Sequence, residues 1–372
     1  MRARFARRVD GPVGATVVDD QRLDGRDAFD LLRDFAQGLR DRCFLVVCRD
    51  LDNELQLKVS VVMPVERLGG DAERAIASVL GQQAPFPFEL ILVSAEPLPA
   101  PFDNRVRNVV ETNRNPATRR NRAVSVSSGE ILAFIDDDAV AHPRWLATAV
   151  AYLDAHPAVL ALGGPDPAPS DSSPAELMSE TLLSTRFIGS GVAAHEGLRG
   201  IFPVRSASAI ALVNLFVRRS AFTAFDESIG YIGEDTALLE SLRERGRVVY
   251  HDGVIVYHRR RPFPGPYLRQ RWRYRVKTGE LLVRGSRAHR NNKRIHAFLV
   301  AGTVGILFAP LVIIPYAIVT FFLGARATRL PPSKWPMIPV AFAMHHATYY
   351  FGILTGIVRG IIRRGGNNHA ES

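Results

Sequence analysis

The stretch SSGEILAFIDDD, Ser127 to Asp138, sets the fold of this chain. Glu130–Ile135 reads as a short apolar strand, and it runs straight into three carboxylates, Asp136, Asp137 and Asp138. Working outward, Lys58–Pro64 (KVSVVMP) is a β-branched strand ended by proline, and Phe88–Val93 (FELILV) is a second buried strand. Arg105–Val110 is a candidate third. Between them Asp71 to Leu80 carries apolar residues at helical spacing, and Asn113 to Ser127 reads as an arginine-rich helix stopped by Gly129. Strands separated by helices imply a parallel α/β sheet with right-handed crossovers. Ligands of such sheets bind at the carboxyl ends of the strands, where the three aspartates stand.

Three carboxylates after a buried strand are costly unless something positive lies among them. A Mg²⁺ or Mn²⁺ ion shared with the oxygens of a diphosphate would serve, since hard cations take oxygen ligands. The plain alternative is a solvated turn capping the helix that starts near Pro143. A second acidic pair, Glu234-Asp235 after Gly233, precedes the helical run Thr236 to Arg245. It reads either as ordinary helix capping or as a general base acting on an acceptor hydroxyl. Gln270-Arg271-Trp272-Arg273-Tyr274 is either an interfacial helix or a flap closing over a nucleotide, with Arg271 or Arg273 against a leaving diphosphate.

The chain has 372 residues, 47% hydrophobic, with 47 Lys+Arg against 37 Asp+Glu, a formal net charge of +10. That excludes a disordered tail protein and leaves room for one large or two medium domains. The two cysteines, Cys43 and Cys48, make neither a disulfide framework nor a zinc site. Arg259 to Arg294 holds 13 basic residues and one acid, so nearly all the excess charge is local. No nucleic-acid partner is inferred from it, because two uncharged stretches follow, Ala297–Leu323 and Trp335–Val358. Both are long enough to cross a bilayer, and basic residues beside such stretches mark the cytoplasmic side and attract anionic lipid. The start, MRARFARRVDG, has no apolar signal-peptide core. The expected organisation is an appendage at 1–55, whose Asp27–Arg42 has a helical stripe, and a catalytic domain at 56–258. A basic interfacial segment at 259–295, two transmembrane helices within 296–358 and a cytoplasmic tail at 359–372 complete it. The expected location is the inner (plasma) membrane, multi-pass, with the catalytic domain cytoplasmic.

The order VSVVMP, ELILV, RRNRA, SSGEILAFIDDD and, about a hundred residues on, GED resembles glycosyltransferase family 2 with a GT-A fold, from about Val59 to Lys277. QRWRY looks like that family's QxxRW motif with Tyr274 for tryptophan. The resemblance implies a GT-A mixed sheet flanked by helices and inverting sugar transfer. It implies Asp235 as base supported by Glu234, Asp138 and Asp136 as metal-site residues with Asp136 also at the ribose, and Mg²⁺ or Mn²⁺ as cofactor. It places Pro64, Ser94, Arg120, Asn121, Asp136, Gln270, Arg271 and Arg273 around a nucleotide-sugar donor, and Gly163-Gly164-Pro165 beside the sugar and acceptor. One departure stands out. Where the family carries an acid after the second strand, this chain has Ser94-Ala95-Glu96, so the usual uracil contact is missing. The expected acceptor is a lipid-linked or membrane-bound glycan. The rivals are a catalytically silent membrane scaffold and, lacking a Gly-rich phosphate loop after the first strand, a nucleotidyltransferase.

Overall fold

A computed structural model describes residues 5–8, 16–19, 58–99, 103–190, 192–229, 232–286, 290 and 293–368. The chain divides into two units, Met1–Gln56 and Leu57–Ser372. In the first, β1 (Phe5–Arg8) and β2 (Thr16–Asp19) form an antiparallel pair. The expected helical stripe at Asp27–Arg42 and both cysteines lie outside the described residues.

The second unit is built on β3 (Val59–Pro64), β4 (Phe88–Ser94), β5 (Val106–Val110) and β6 (Ile131–Phe134), which are mutually parallel in the order β5-β4-β3-β6. The sheet does not stay parallel. Beyond β6, β10 (Leu215–Arg218) inserts antiparallel between β6 and β8 (Val159–Gly163). Next come β11 (Arg247–His251), parallel to β8, and an antiparallel edge strand, β9 (Ile201–Pro203). The mixed sheet flanked by helices that the GT-A resemblance implies is therefore the observed architecture. β7 (Ala139–Ala141) and β12 (Val256–His258) form a separate short antiparallel ladder.

Alternation along the strands builds two cores. Val59, Val61 and Met63 face one side with Trp145 and Phe216; Val62, Phe134 and Leu215 face the other with Leu238 and Leu239. Each face is closed by helices: α1 (Gly70–Leu80) and α3 (Trp145–Ala155) on the first, α2 (Pro116–Val126) and α6 (Glu234–Arg245) on the second. Asn115, rather than Asn113, caps α2, accepting from the Ala117 amide at 3.0 Å with Pro116 in the first turn. The remaining short helix before the edge strand is α5 (Ala193–Glu196), after α4 (Pro174–Ser184), whose start carries a full Ser173–Glu176 capping box.

The C-terminal third departs from two simple spans. After α7 (Gly265–Val283), the first uncharged stretch breaks at Phe308 into α8 (Lys293–Leu307) and α9 (Ala309–Ala327). Pro310 does not kink a continuous helix; it sits in the first turn of α9, where its missing N–H costs nothing. Among the described residues only α9 is long and apolar enough to cross a membrane. The second stretch becomes α10 (Ile338–Asn368), whose buried face packs on α7 and α4 through Ile338, Phe342 and Met178.

Candidate functional site

The carboxyl ends of β3, β4 and β6 and the N-terminus of α6 meet at one place. Arg120, on the arginine-rich helix α2, occupies its centre. One guanidinium nitrogen donates to Asp136 Oδ1 at 3.0 Å and the other to Glu234 Oε1 at 3.1 Å. The two acidic motifs, 98 residues apart, are thus joined by a single cation that is only 7% exposed. The Phe225 ring lies 5.9 Å from the same guanidinium, completing its cover.

Burial and the neighbouring Asp235 push Glu234 up to about 7, with the Arg120 charge opposing them. Asp235 is also raised, by burial, although its Oδ1 accepts from the Thr236 amide at 2.6 Å and from the Thr236 hydroxyl at 3.2 Å. A carboxylate pair lifted toward neutrality has the proton affinity that base work requires. The bond to the next residue's amide is also helix-end chemistry, so both readings of this pair meet in one group.

The three aspartates have three different surroundings. Asp136 faces Arg120. Asp137 turns back to accept the Glu66 amide at 3.0 Å, and burial raises it to about 6. Asp138 lies 3.3 Å from His258 Nε2 and 3.6 Å from an Arg261 nitrogen. Burial works against its charge, but the His258 contact overrides this and holds Asp138 below the usual range. His258 was not foreseen. It arrives through the β7–β12 ladder, which pairs His258 with Ala139, the residue after Asp138. Its other nitrogen faces Asp166 at 3.6 Å, and Asp166 is held in turn by Arg260 at 3.1 Å and His195 at 2.7 Å. Against burial, the hydrogen bonds to Asp138 and Asp166 carry His258 up to about 9. Its only trace in the sequence is the position of a histidine at the end of the run VIVYH.

A divalent ion fits this donor set in part. Among the described residues no three His, Cys, Asp or Glu side chains form a ready-made cage. Asp138 presents a carboxylate oxygen, whereas His258, held as an imidazolium between Asp138 and Asp166, offers a nitrogen lone pair only once it releases its proton. The Asp138 carboxylate, together with diphosphate oxygens, is the part of this set that suits a hard cation.

The other expected donor contacts separate into two groups. Pro64 closes β3 opposite Val93, and Ser94 closes β4. The Ser94 hydroxyl donates to the Glu96 carbonyl at 2.6 Å and is buried, so its proton is already committed. Asn121 is spent on structure: its amide donates to Phe225 O and Glu227 Oε1, both at 2.9 Å, and its oxygen accepts the Phe225 amide. It pins the loop that leads to Glu234. At Gly164 a Cβ would lie 2.0 Å from the Val254 carbonyl, so this glycine permits a close backbone contact.

On α7 the geometry separates the two arginines. Arg271 stacks over Tyr267 and Tyr274, at 5.6 and 4.8 Å, and donates to Gln270 Oε1 at 2.9 Å. Its Nε is buried with no protein acceptor. Burial raises Tyr274 against the nearby Arg271 charge, and the charges of Asp136, Asp235 and Glu234 act with burial. Arg273, two residues on, is exposed.

The family comparison decides the class. The description "Glycosyl transferase family 2" matches residues 60–204, from β3 through the edge strand β9. These residues are a glycosyl transferase family 2 domain. Glucosyl-dolichyl phosphate glucuronosyltransferase of Haloferax volcanii is 32% identical over 120 residues, covering 29% of this chain and 38% of that protein. The chain therefore matches well under half the length of that curated relative. Among solved structures, residues 1–349 of S. aureus TarS align with 83% of this chain and 92% of that one, at 16% identity and TM-score 0.40. The mannosyltransferase PcManGT of Pyrobaculum calidifontis, in complex with GDP-Man and Mn2+, aligns with 81% of this chain and 73% of its own, at 17% identity and TM-score 0.40. The family 2 domain contains Pro64, Ser94, Arg120 and the three aspartates; Glu234, Asp235, His258 and the α7 residues lie beyond the matched segment.

Proposed function

We propose that this protein transfers a sugar, with inversion, from a nucleotide-diphosphate donor to a lipid-linked or membrane-bound glycan acceptor at the cytoplasmic face of a membrane. The observation that carries this reading is the Arg120 bridge between Asp136 and Glu234, which joins the donor end of the sheet to the acid pair of α6.

Asp235 accepts the proton of the acceptor hydroxyl. The acceptor oxygen attacks the anomeric carbon, the bond from that carbon to the diphosphate breaks, and the nucleoside diphosphate leaves with the bonding pair. Glu234, tied to Arg120, orients Asp235 and keeps the local charge balanced. Arg271, with an unmatched buried Nε, is the better placed of the two arginines to receive the departing diphosphate. Asp138, with His258 once its imidazolium proton is released, would hold Mg²⁺ or Mn²⁺, and the bound ion would neutralise developing charge on the diphosphate. Asp136 stands at the ribose.

The committed Ser94 hydroxyl also bears on the nucleobase. With no acid at this position, recognition of uracil by the usual carboxylate is absent, and guanine or thymine donors are equal candidates. The relative named for a dolichyl phosphate substrate supports a lipid-linked acceptor. The test is nucleotide release from UDP-, GDP- and dTDP-sugars, with and without Mn²⁺ and a membrane fraction as acceptor. Release above background from one donor, dependent on the ion, is the expected result; no release from any donor, with the protein folded, selects the silent-scaffold reading.

A further inference from the structure

We propose that the C-terminal helices seat this protein within one leaflet of an anionic membrane, lying along its surface without crossing it. The seating concerns the lipid contact alone, so it stands or falls independently of the chemistry at Asp235.

The chain reverses at Phe308. Phe298, ten residues before it, and Tyr316, eight after it, both meet the His346 ring, with centroids 5.7 and 5.9 Å away. α8 and α9 are therefore the two legs of a hairpin resting on α10. At about 1.5 Å per residue, the 15 residues of α8 reach roughly 22 Å, short of a hydrocarbon core about 30 Å thick.

The link after α9 returns to the catalytic body. Thr328 and Thr181 hydroxyls meet at 2.7 Å, and Arg329 donates to the Ala168 carbonyl at 2.7 Å. A link held against α4 cannot lie on the far side of a bilayer from it. The whole segment between α7 and this link thus makes no net crossing.

α10 is excluded from spanning by its neighbour. It runs beside α7 in the same direction: Tyr267 meets His345 at 2.6 Å, Arg275 covers the Tyr349 ring at 3.7 Å, and Val283 lies against Gly360. At Gly356 a Cβ would lie 1.9 Å from the Val276 carbonyl, so the two backbones touch. If α10 crossed, α7 would be drawn into hydrocarbon with exposed Arg269 and Arg273, at about 3 kcal/mol for each arginine. Lying flat, α10 keeps α7 on the water side and turns its opposite face to lipid.

That outward surface is apolar and rimmed with cations. Leu307 (71% exposed), Leu311 (74%) and Ile314 (68%) project from the hairpin, and Val340 and Ile362 from α10. Lys293 and Arg359, both exposed, border it, the arrangement that anionic headgroups attract.

The test places single cysteines in the full chain after Cys43→Ser and Cys48→Ser. Ser333→Cys reports the link and Ser170→Cys the catalytic body; both positions are exposed. In sealed vesicles with the cytoplasmic face outward, a membrane-impermeant maleimide should label both to the same extent. Labelling of Ser333→Cys only after the vesicles are opened overturns the seating. A second arm reads lipid contact directly: Leu311→Glu with Ile314→Glu should lower co-flotation with phosphatidylglycerol–phosphatidylcholine liposomes at least tenfold. Unchanged flotation, or wild-type protein that does not float, overturns it as well, whatever the transfer assay shows.

Discussion

Arg120 and Glu234 lie 114 residues apart in the chain and 3.1 Å apart in the fold, both nearly sealed from solvent. Removing one partner of a buried pair leaves the other charge stranded, which costs about 3–5 kcal/mol. Arg120→Ala should therefore destabilise the protein by about 3 kcal/mol above pH 7, measured by denaturant unfolding. A change below about 0.5 kcal/mol would show that the bridge contributes nothing to the folded state.

The loss should shrink in acid, because Glu234 can take a proton. Its pKa is about 7 in the folded protein against 4.5 for the ordinary side chain. The folded state thus holds this proton more tightly than the unfolded state. The penalty is fully present above about pH 7 and is relieved as pH falls toward 4.5. Unfolding free energies of wild type and Glu234→Gln, compared between pH 5 and 8, should converge on the alkaline-to-acid path, with wild type gaining. Parallel curves would place the raised pKa elsewhere.

The strand-end aspartates were legible because they interrupt an apolar pattern where such sheets bind ligands, whereas Glu234-Asp235 was singled out by the family resemblance, since alone it reads as helix capping. Non-local partners were not legible. The family resemblance named Arg120 only as a donor contact; its bridge between Asp136 and Glu234 comes from the approach of α2 to α6. His258 depends on a three-residue ladder whose pairing leaves almost no trace in periodicity. The break at Phe308 was hidden for a different reason: a run apolar on all sides carries no phase, so a reversal inside it does not disturb any pattern.

Helical phase, by contrast, now separates two arginines that the sequence left equivalent. Arg271 is packed between tyrosines beside the acidic site, and Arg273 is exposed. Arg271→Ala should lower kcat for transfer at least tenfold, and Arg273→Ala should stay within about threefold, since an unmade charged hydrogen bond costs roughly 1.5–3 kcal/mol. Steady-state kinetics on the two variants decides this. The reverse order would mean that α7 rotates when donor binds.

The closest contest concerns Asp235, where helix capping and base catalysis predict different things of one substitution. As a helix-end group it accepts from Thr236, and its amide can still accept there. On capping alone, Asp235→Asn should change stability by less than about 1 kcal/mol and leave transfer nearly intact. As the base it must take a proton from the acceptor hydroxyl, which an amide cannot do, and positioned proton transfer is worth roughly 10²–10⁴-fold. Asp235→Asn should therefore lose at least about two orders of magnitude in turnover, with near-normal melting and unchanged donor affinity. Glu234→Gln should lose less, because Glu234 acts on the reaction through Asp235. Its amide can still accept from Arg120. Assayed side by side for turnover, melting and donor binding, the pair of variants separates the roles. Turnover of Asp235→Asn within a few-fold of wild type would move the base to another group and leave Asp235 as a cap.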